Sequence, residues 1–338
     1  MGLRPLLIGD EMKPRLYQKK DTFTVDYPEA VDYADKQANI FWPHNEVKVE
    51  KDKQDILVNM TEAERHGVIT VLKLFTKYEQ IIGDDFWLGF VFKKFPRPAD
   101  IQPMAAMFAA MELQVHAKFY SKLNEELGLA TDEFYGEYKD DPILLDRINF
   151  LKETVYGKDD LRALGGFTFG EGAVLYTSFA YLKHFQTAGK NKLLNVVSGI
   201  NFSARDEALH SEAAGWLFRT LKDEMKEAGL LSEEEEKQLH DDMKFAGALV
   251  LEHEHRIIEK IFEHGKVEGI TAKQLEAFAK SRINVCMRNM GYDNLYKVEY
   301  NPIGETFYKS INGFSATDFF SSQGNQYQRD WSTEGFKF

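Results

Sequence analysis

Apolar residues recur along this chain at gaps of three and four through several long stretches, the spacing of helices that bury one face. Thr61 opens the first stretch. Its hydroxyl and Glu64 three residues later predict a capping box, and the stripe that follows is Val68, Leu72, Phe75, Glu79, Ile82. A second helix is expected from near Pro103 to Gly128, with Ala105, Ala109, Glu112, His116, Tyr120, Leu123 and Leu127 on its inner face. A third follows Leu164-Gly165-Gly166-Phe167 and carries Glu171, Leu175, Phe179, Leu182 and Phe185. The fourth spans about Asn191 to Thr220, with Leu193, Val197, Ile200, Ala204, Glu207, His210 and Ala214 aligned. Ser232 with Glu235 caps a further helix running to Gly265, and Thr271 to Met290 forms another, stopped by Gly291. The pattern predicts an all-α bundle. Residues 1–40 are polar and read as an irregular N-terminal arm, residues 41–309 as the helical domain, and residues 310–338 as a mobile tail of Gly, Ser, Asn and scattered aromatics.

The core stripes are interrupted in a regular way. Glu79, Glu112, Glu171 and Glu207 each fall on an otherwise apolar face, and His116 and His210 share the faces of Glu112 and Glu207. A carboxylate on a buried stripe costs several kcal/mol unless it is paired or bound to a metal. Single Glu, Glu–His pair, single Glu, Glu–His pair is the donor set with which helix bundles hold two iron or manganese ions. Carboxylate oxygens bridge and neutralise two cations, and imidazoles complete each site without adding charge. Taken alone, an inward histidine is more often a hydrogen-bonded core residue, and Glu79 could mark a helix fraying into solvent. Four carboxylates in this order change that balance. Glu252 and His255 have ligand-like spacing too, but they lie in a Glu/His/Lys-rich segment without a matching pair and read as a solvated face.

Composition narrows the field. The chain has 338 residues, 54 acidic against 42 basic, for a net charge of −12, which argues against a nucleic-acid-binding surface. Its 26 Phe and 15 Tyr suit a thick core between long helices. One cysteine, Cys286, rules out an intrachain disulfide and reads as a small core residue. No signal-peptide pattern or apolar run of membrane-spanning length is present, so a cytoplasmic location is expected, the host cytoplasm if the chain is viral. No Walker loop or Gly-x-Gly-x-x-Gly fingerprint appears.

With these residues in place the chain resembles the small, radical-generating subunit of class I ribonucleotide reductase, from about Phe41 to the C-terminus. Ala204–His210 is similar to the second Glu-x-x-His motif of that family, and Glu171 in Glu-Gly-Ala-Val-Leu-Tyr-Thr-Ser-Phe-Ala is similar to its single third-helix glutamate. The resemblance implies a ferritin-like bundle with two metal ions (iron, manganese or both) held by Glu79, Glu112, His116, Glu171, Glu207 and His210. It implies that Tyr120, four residues after His116, is the candidate radical, the alternative being that the metal pair stores the oxidising equivalent itself. Trp42 and Asp206 take radical-transfer positions, with Asp206 bonded to a metal-bound imidazole. Asp318-Phe319-Phe320 and Tyr327 lie in a tail that docks the large catalytic subunit, Tyr327 at the relay position. Such subunits are homodimers and bind neither nucleic acid nor membrane.

Two positions depart from the family pattern. Glu112 and His116 are four apart instead of three, a spacing that a helical bulge would absorb; without one, Leu113 would stand at the family's glutamate position. Glu79 stands where many members have Asp. Compactness and the wide first pair are compatible with a viral or phage-encoded member. The competing readings are a di-iron oxygenase or acyl-carrier desaturase, which has no use for a relay tyrosine in a tail, and a ferritin-like iron-handling protein, which would form a large shell.

Overall fold

The computed structural model describes residues 13–308 apart from 158, 188 and 299. The tail and its Tyr327 lie outside these. Among the described residues there is no β-strand. Helix α1 covers Pro28–Asn39. Helix α2 covers Glu62–Gln80 and runs on into a π-helical stretch, Ile81–Phe92. Helix α3 (Ile101–Ala110), a π segment (Met111–His116) and α4 (Ala117–Glu126) form one continuous rod. The short α5 (Asp132–Gly136) and α6 (Pro142–Tyr156) follow. Helix α7 (Asp160–Phe169), a third π segment (Gly170–Val174) and α8 (Tyr176–Lys183) make the next rod. Then come α9 (Leu194–Glu227), α10 (Glu233–Ile261) and α11 (Ala272–Asn289).

Four rods enclose the core: α2 with its π extension, α3–α4, α7–α8 and α9. α2 packs on α4, α3 packs on the Ile81–Phe92 stretch, and α7 and α8 lie along α9. α10 and α11 pack together and close the outer side against α7 and α8. The packed faces are those read from the spacing: Val68, Leu72, Phe75, Phe179, Leu182, Val197, Ile200, Ala204 and Ala214 are all buried. The capping boxes expected at Thr61 and Ser232 are formed, and Thr271 forms a third with Gln274. Cys286 is buried, while Glu252 and His255 are exposed as expected.

Several boundaries differ from the expectation. The segment read as an irregular arm contains α1, whose buried face is Ala30, Tyr33 and Gln37. Its apolar signal is weak because that face is a small residue, a tyrosine and an amide; Pro28 at the first turn is the start signal that survives. The third core helix starts at Asp160, capped by Asp159, so the Gly165–Gly166 pair lies inside it. A Cβ on either glycine would collide with Met243 or Thr154, so close approach of neighbouring helices, not a helix break, explains the pair. The fourth helix runs to Glu227, seven residues past the expected end. Its start is set by Leu193 in the left-handed region (φ 58°) and by Asp52, which accepts from the Val196 backbone N–H at 2.6 Å.

No helix among the described residues is long and apolar enough to cross a membrane.

Candidate metal centre

Each rod carries its carboxylate to the same depth. Glu79 sits on the last turn of α2, Glu112 and His116 on the Met111–His116 π segment, Glu171 on the Gly170–Val174 π segment, and Glu207 and His210 mid-way along α9. All six side chains have no solvent exposure. Their donor atoms form two overlapping groups, Glu79, Glu112, His116, Glu207 and Glu112, Glu171, Glu207, His210, and within each group the atoms lie within 4.8 Å of one another. Glu112 and Glu207 belong to both, as bridging carboxylates between two ions would.

The wide first pair is resolved by the local backbone. A π-helical turn holds more residues than an α-helical one, so a side chain four positions on returns to the same face. Glu112 Oε2 is 3.0 Å from His116 Nδ1, and both point into the cluster. The bulge expected from the sequence is present, and Leu113 is not one of the clustered donors. Glu171 is presented in the same manner, from a π segment of its own. Gly172 beside it has no room for a Cβ, which would strike Ser211 Oγ and Cys286 Sγ, so the bulge can lie directly against α9 and α11.

The hydrogen bonds around the cluster are directional. His116 turns Nδ1 inward and its Nε2 outward, where Asp206 Oδ2 accepts at 3.1 Å. His210 likewise directs Nε2 to Gln37 Oε1 at 2.9 Å, leaving Nδ1 facing the cluster 2.6 Å from Glu112 Oε1 without hydrogen-bond geometry. Each ring thus has an outer acceptor for its N–H and an inner nitrogen turned to the carboxylates of the cluster, the arrangement that fixes metal-ligating imidazoles. Asp206 also accepts from Trp42 Nε1 at 2.8 Å and from Gln37 Nε2 at 3.3 Å. Trp42 is buried and stacks on His116, ring centroids 5.9 Å apart at 29°. Tyr120 is buried between Phe75 and Phe119 and donates to Ser203 Oγ at 3.3 Å.

What the protein does not satisfy is as informative. Both oxygens of Glu79 and of Glu207, Glu112 Oε1, Glu171 Oε2 and His210 Nδ1 are buried without a hydrogen-bond partner. Buried polar atoms are nearly always paired, and these seven are all ligand-type atoms aimed at one place. Burial, then the charge of Glu112, pushes Glu79 well above the usual carboxylate range. Burial, with Glu207 and Glu112 behind it, does the same to Glu171. Glu207 is pushed up to about 8 by burial and by Glu112. Burial, the largest single influence, would also raise Glu112, but the charges of His116 and His210 and the polar contacts of Glu79 and His116 together outweigh it and hold this carboxyl well below its ordinary value. Without cations the cluster therefore keeps protons that divalent ions would replace. Four hard oxygen donors and two imidazoles fit a pair of first-row metal ions.

Comparison with known proteins agrees with this geometry. Residues 19–302 match the family model "Ribonucleotide reductase, small chain". The chain belongs to the ribonucleotide reductase small chain family. Among its relatives is a protein of Invertebrate iridescent virus 3 named "Probable ribonucleoside-diphosphate reductase small subunit 048L", 27% identical over 94% of this chain and 88% of that protein. Another is the ribonucleoside-diphosphate reductase 2 subunit beta of Escherichia coli, 26% identical over 63% of this chain and 64% of that protein. The fold is that of the dimanganese(II)-NrdF of Streptococcus sanguinis, with a TM-score of 0.74 at 22% identity over 86% of this chain and 99% of that one. It is also that of the ribonucleotide reductase R2 subunit of Clostridium botulinum, with a TM-score of 0.72 at 20% identity, over 86% of this chain and 89% of that one. Membership of this family sets aside the oxygenase, desaturase and iron-storage readings.

Three residues at the cluster had not been singled out. Gln37, bonded to His210 and Asp206, sits where the 3–4 spacing of Ala30, Tyr33 and Gln37 marks the inner face of α1. Trp87 donates from Nε1 to Glu171 Oε1 at 2.6 Å, and Ser203 faces Tyr120. Trp87 lies in the Ile81–Phe92 stretch, whose π geometry defeats a 3.6-residue periodicity.

Proposed function

We propose that this chain is the radical-generating small subunit of a ribonucleoside-diphosphate reductase, and that Glu79, Glu112, His116, Glu171, Glu207 and His210 hold two ions of iron, manganese or one of each. The observation that carries the reading is the set of buried, partnerless ligand atoms with both imidazoles held from outside. When bound there, such a metal pair supplies one-electron oxidising power that no protein side chain has by itself.

The chain's own residues then have separate tasks. Asp206 and Gln37 fix the tautomer and tilt of His116 and His210. Tyr120 is the side chain to be oxidised. Losing one electron from its phenol also releases the phenolic proton, and burial, with the charge of Glu79 behind it, holds that group protonated far above its ordinary range, so the two leave together. Phe75 and Phe119 pack around the ring and keep water away. Trp42 and Asp206 form the way out. An indole that gives up an electron becomes acidic at Nε1, and Asp206 Oδ2 at 2.8 Å can take that proton. Tyr327, outside the described residues, would continue the relay in the tail that docks a separate large catalytic subunit, where ribonucleotides are reduced to deoxyribonucleotides. The helical domain of residues 41–309 would work as a homodimer in the cytoplasm, without nucleic acid or membrane as a partner.

Loading the metal-free chain with iron or manganese in air, followed by metal analysis and electron paramagnetic resonance, tests this reading. Two ions per chain and a tyrosyl doublet that disappears in Tyr120→Phe are expected. A doublet that survives in that variant would remove Tyr120 from its role, and a chain that takes up no metal would end the reading.

A further inference from the structure

The π segment that carries Glu171 is gripped from outside by two buried arginines. Arg282 on α11 donates from Nε to the Gly172 carbonyl at 2.8 Å, and Arg147 on α6 donates from Nη1 to the Val174 carbonyl at 3.3 Å. Where a helix changes between five-residue and four-residue register, carbonyls lose their usual donors and need others. The two guanidinium groups supply them at two carbonyls of the turn that carries Glu171.

The arginines are not equivalent. Arg147 has Glu254 as its counter-ion. Arg282 is 3% exposed, and no carboxylate lies within ion-pair distance of it among the described residues. Its guanidinium carbon lies 3.6 Å from the centroid of the Tyr176 ring, its Nη2 is buried without a partner, and its Nη1 donates to the Tyr308 hydroxyl at 2.8 Å. A buried cation without a counter-ion is costly, so stability alone does not explain an arginine here. Tyr308 is the last described residue of a helical stretch, residues 302–308, which is itself held where Lys183 Nζ donates to the Phe307 carbonyl at 3.1 Å. One side chain thus touches the backbone next to Glu171 and the last described residue before the C-terminal stretch.

We propose that Arg282 is a positioning residue of the metal centre, transmitting the seating of residues 302–308 to the carboxylate of Glu171. The proposal rests on reading the cluster as a two-ion site. It has a selective consequence, because Glu171 belongs to only one of the two donor groups, that with Glu112, Glu207 and His210. Loosening Arg282 should weaken one ion and spare the ion on the side of Glu79 and His116.

The test is manganese(II) titration of the metal-free, full-length chain, followed by electron paramagnetic resonance of free ion, with thermal unfolding recorded alongside. The wild type is expected to take two ions. Arg282→Met should weaken one of them about 10- to 100-fold, as losses of outer-shell contacts do, and leave the other unchanged. Tyr308→Phe keeps the fold and removes only the outer hydrogen bond; it should weaken the same ion by a smaller factor. Arg282→Lys, which keeps the charge but loses the planar fork, should fall between them. Equal weakening of both ions in step with a lower unfolding temperature would reduce Arg282 to a structural residue and overturn the proposal. So would two unchanged affinities in Arg282→Lys and Tyr308→Phe. If the wild type takes fewer than two ions, the two-ion reading itself fails, a result distinct from either of these.

Discussion

Glu79 and Glu254 are both fully buried acids in the same helical core, and burial raises both. Their surroundings are opposite. Glu254 Oε1 meets Arg147, and its Oε2 accepts from the Thr177 hydroxyl, so the pair braces α6, α8 and α10 with neither carboxylate oxygen left over. Neither oxygen of Glu79 has a partner, and its neighbours are other carboxylates and an imidazole. A buried charge that the protein satisfies is a brace. One that it leaves open, in company with others, is directed at something that is not protein.

Neutralising each acid should therefore move stability in opposite directions. Glu254→Gln leaves Arg147 as an unmatched buried cation and should cost about 3–5 kcal/mol, read from denaturant unfolding of the metal-free protein. Glu79→Gln removes a group that is in electrostatic conflict with Glu112, so the metal-free variant should be as stable as the wild type or more so. Adding manganese reverses the order. The wild type should gain roughly 2.7 kcal/mol at a hundredfold excess over its dissociation constant, and Glu79→Gln should gain less. Equal losses in the two metal-free variants would show that the contrast is not between brace and site.

A smaller effect is expected one bond further out. Asp206→Asn keeps the shape but replaces a charged acceptor of His116 and Trp42 by a neutral amide. Metal affinity should fall about 10- to 100-fold, while unfolding of the metal-free chain changes little. A variant that binds manganese as tightly as the wild type would mean that the orientation of His116 is set by packing against Trp42 alone.

The contrast between the two acids also marks what could be read from the sequence. Glu79, Glu112, Glu171 and Glu207 were legible because each interrupts a long apolar stripe, and four interruptions in order carry more information than any one of them. Glu254 was passed over because Glu252, His253 and His255 surround it with polar residues, although only Glu252 and His255 face solvent. Its partner Arg147 is 107 positions away, and no local spacing records that. Gln37 and Trp87 were missed for different reasons. The first lies on a helix with a faint apolar face, and the second lies in a π-helical stretch where a 3.6-residue period fails. The widened Glu112–His116 spacing was itself the trace of such a segment, readable because two ligand-type side chains share one face.

The finest separation of brace from site is in protons. Glu207 is pushed up to about 8, and Glu79 and Glu171 are raised well above the carboxylate range, so the metal-free native state holds protons that the unfolded chain has lost by neutral pH. Stability of the metal-free protein should accordingly fall as pH rises from the ordinary carboxylate range toward about 8, because there the native state binds more protons than the unfolded one. Metal uptake must run the other way. Ions displace those protons, so affinity should rise with pH and, as far as Glu207 is concerned, level off above about 8. Titration calorimetry at neutral pH in two buffers of different ionisation enthalpy counts the protons released. Release should persist in Arg147→Lys, whose ion pair with Glu254 lies outside the cluster, and should shrink in Glu207→Gln, which has no proton to give up. Release unchanged in Glu207→Gln would place the displaced protons elsewhere and separate this carboxylate from the metal site.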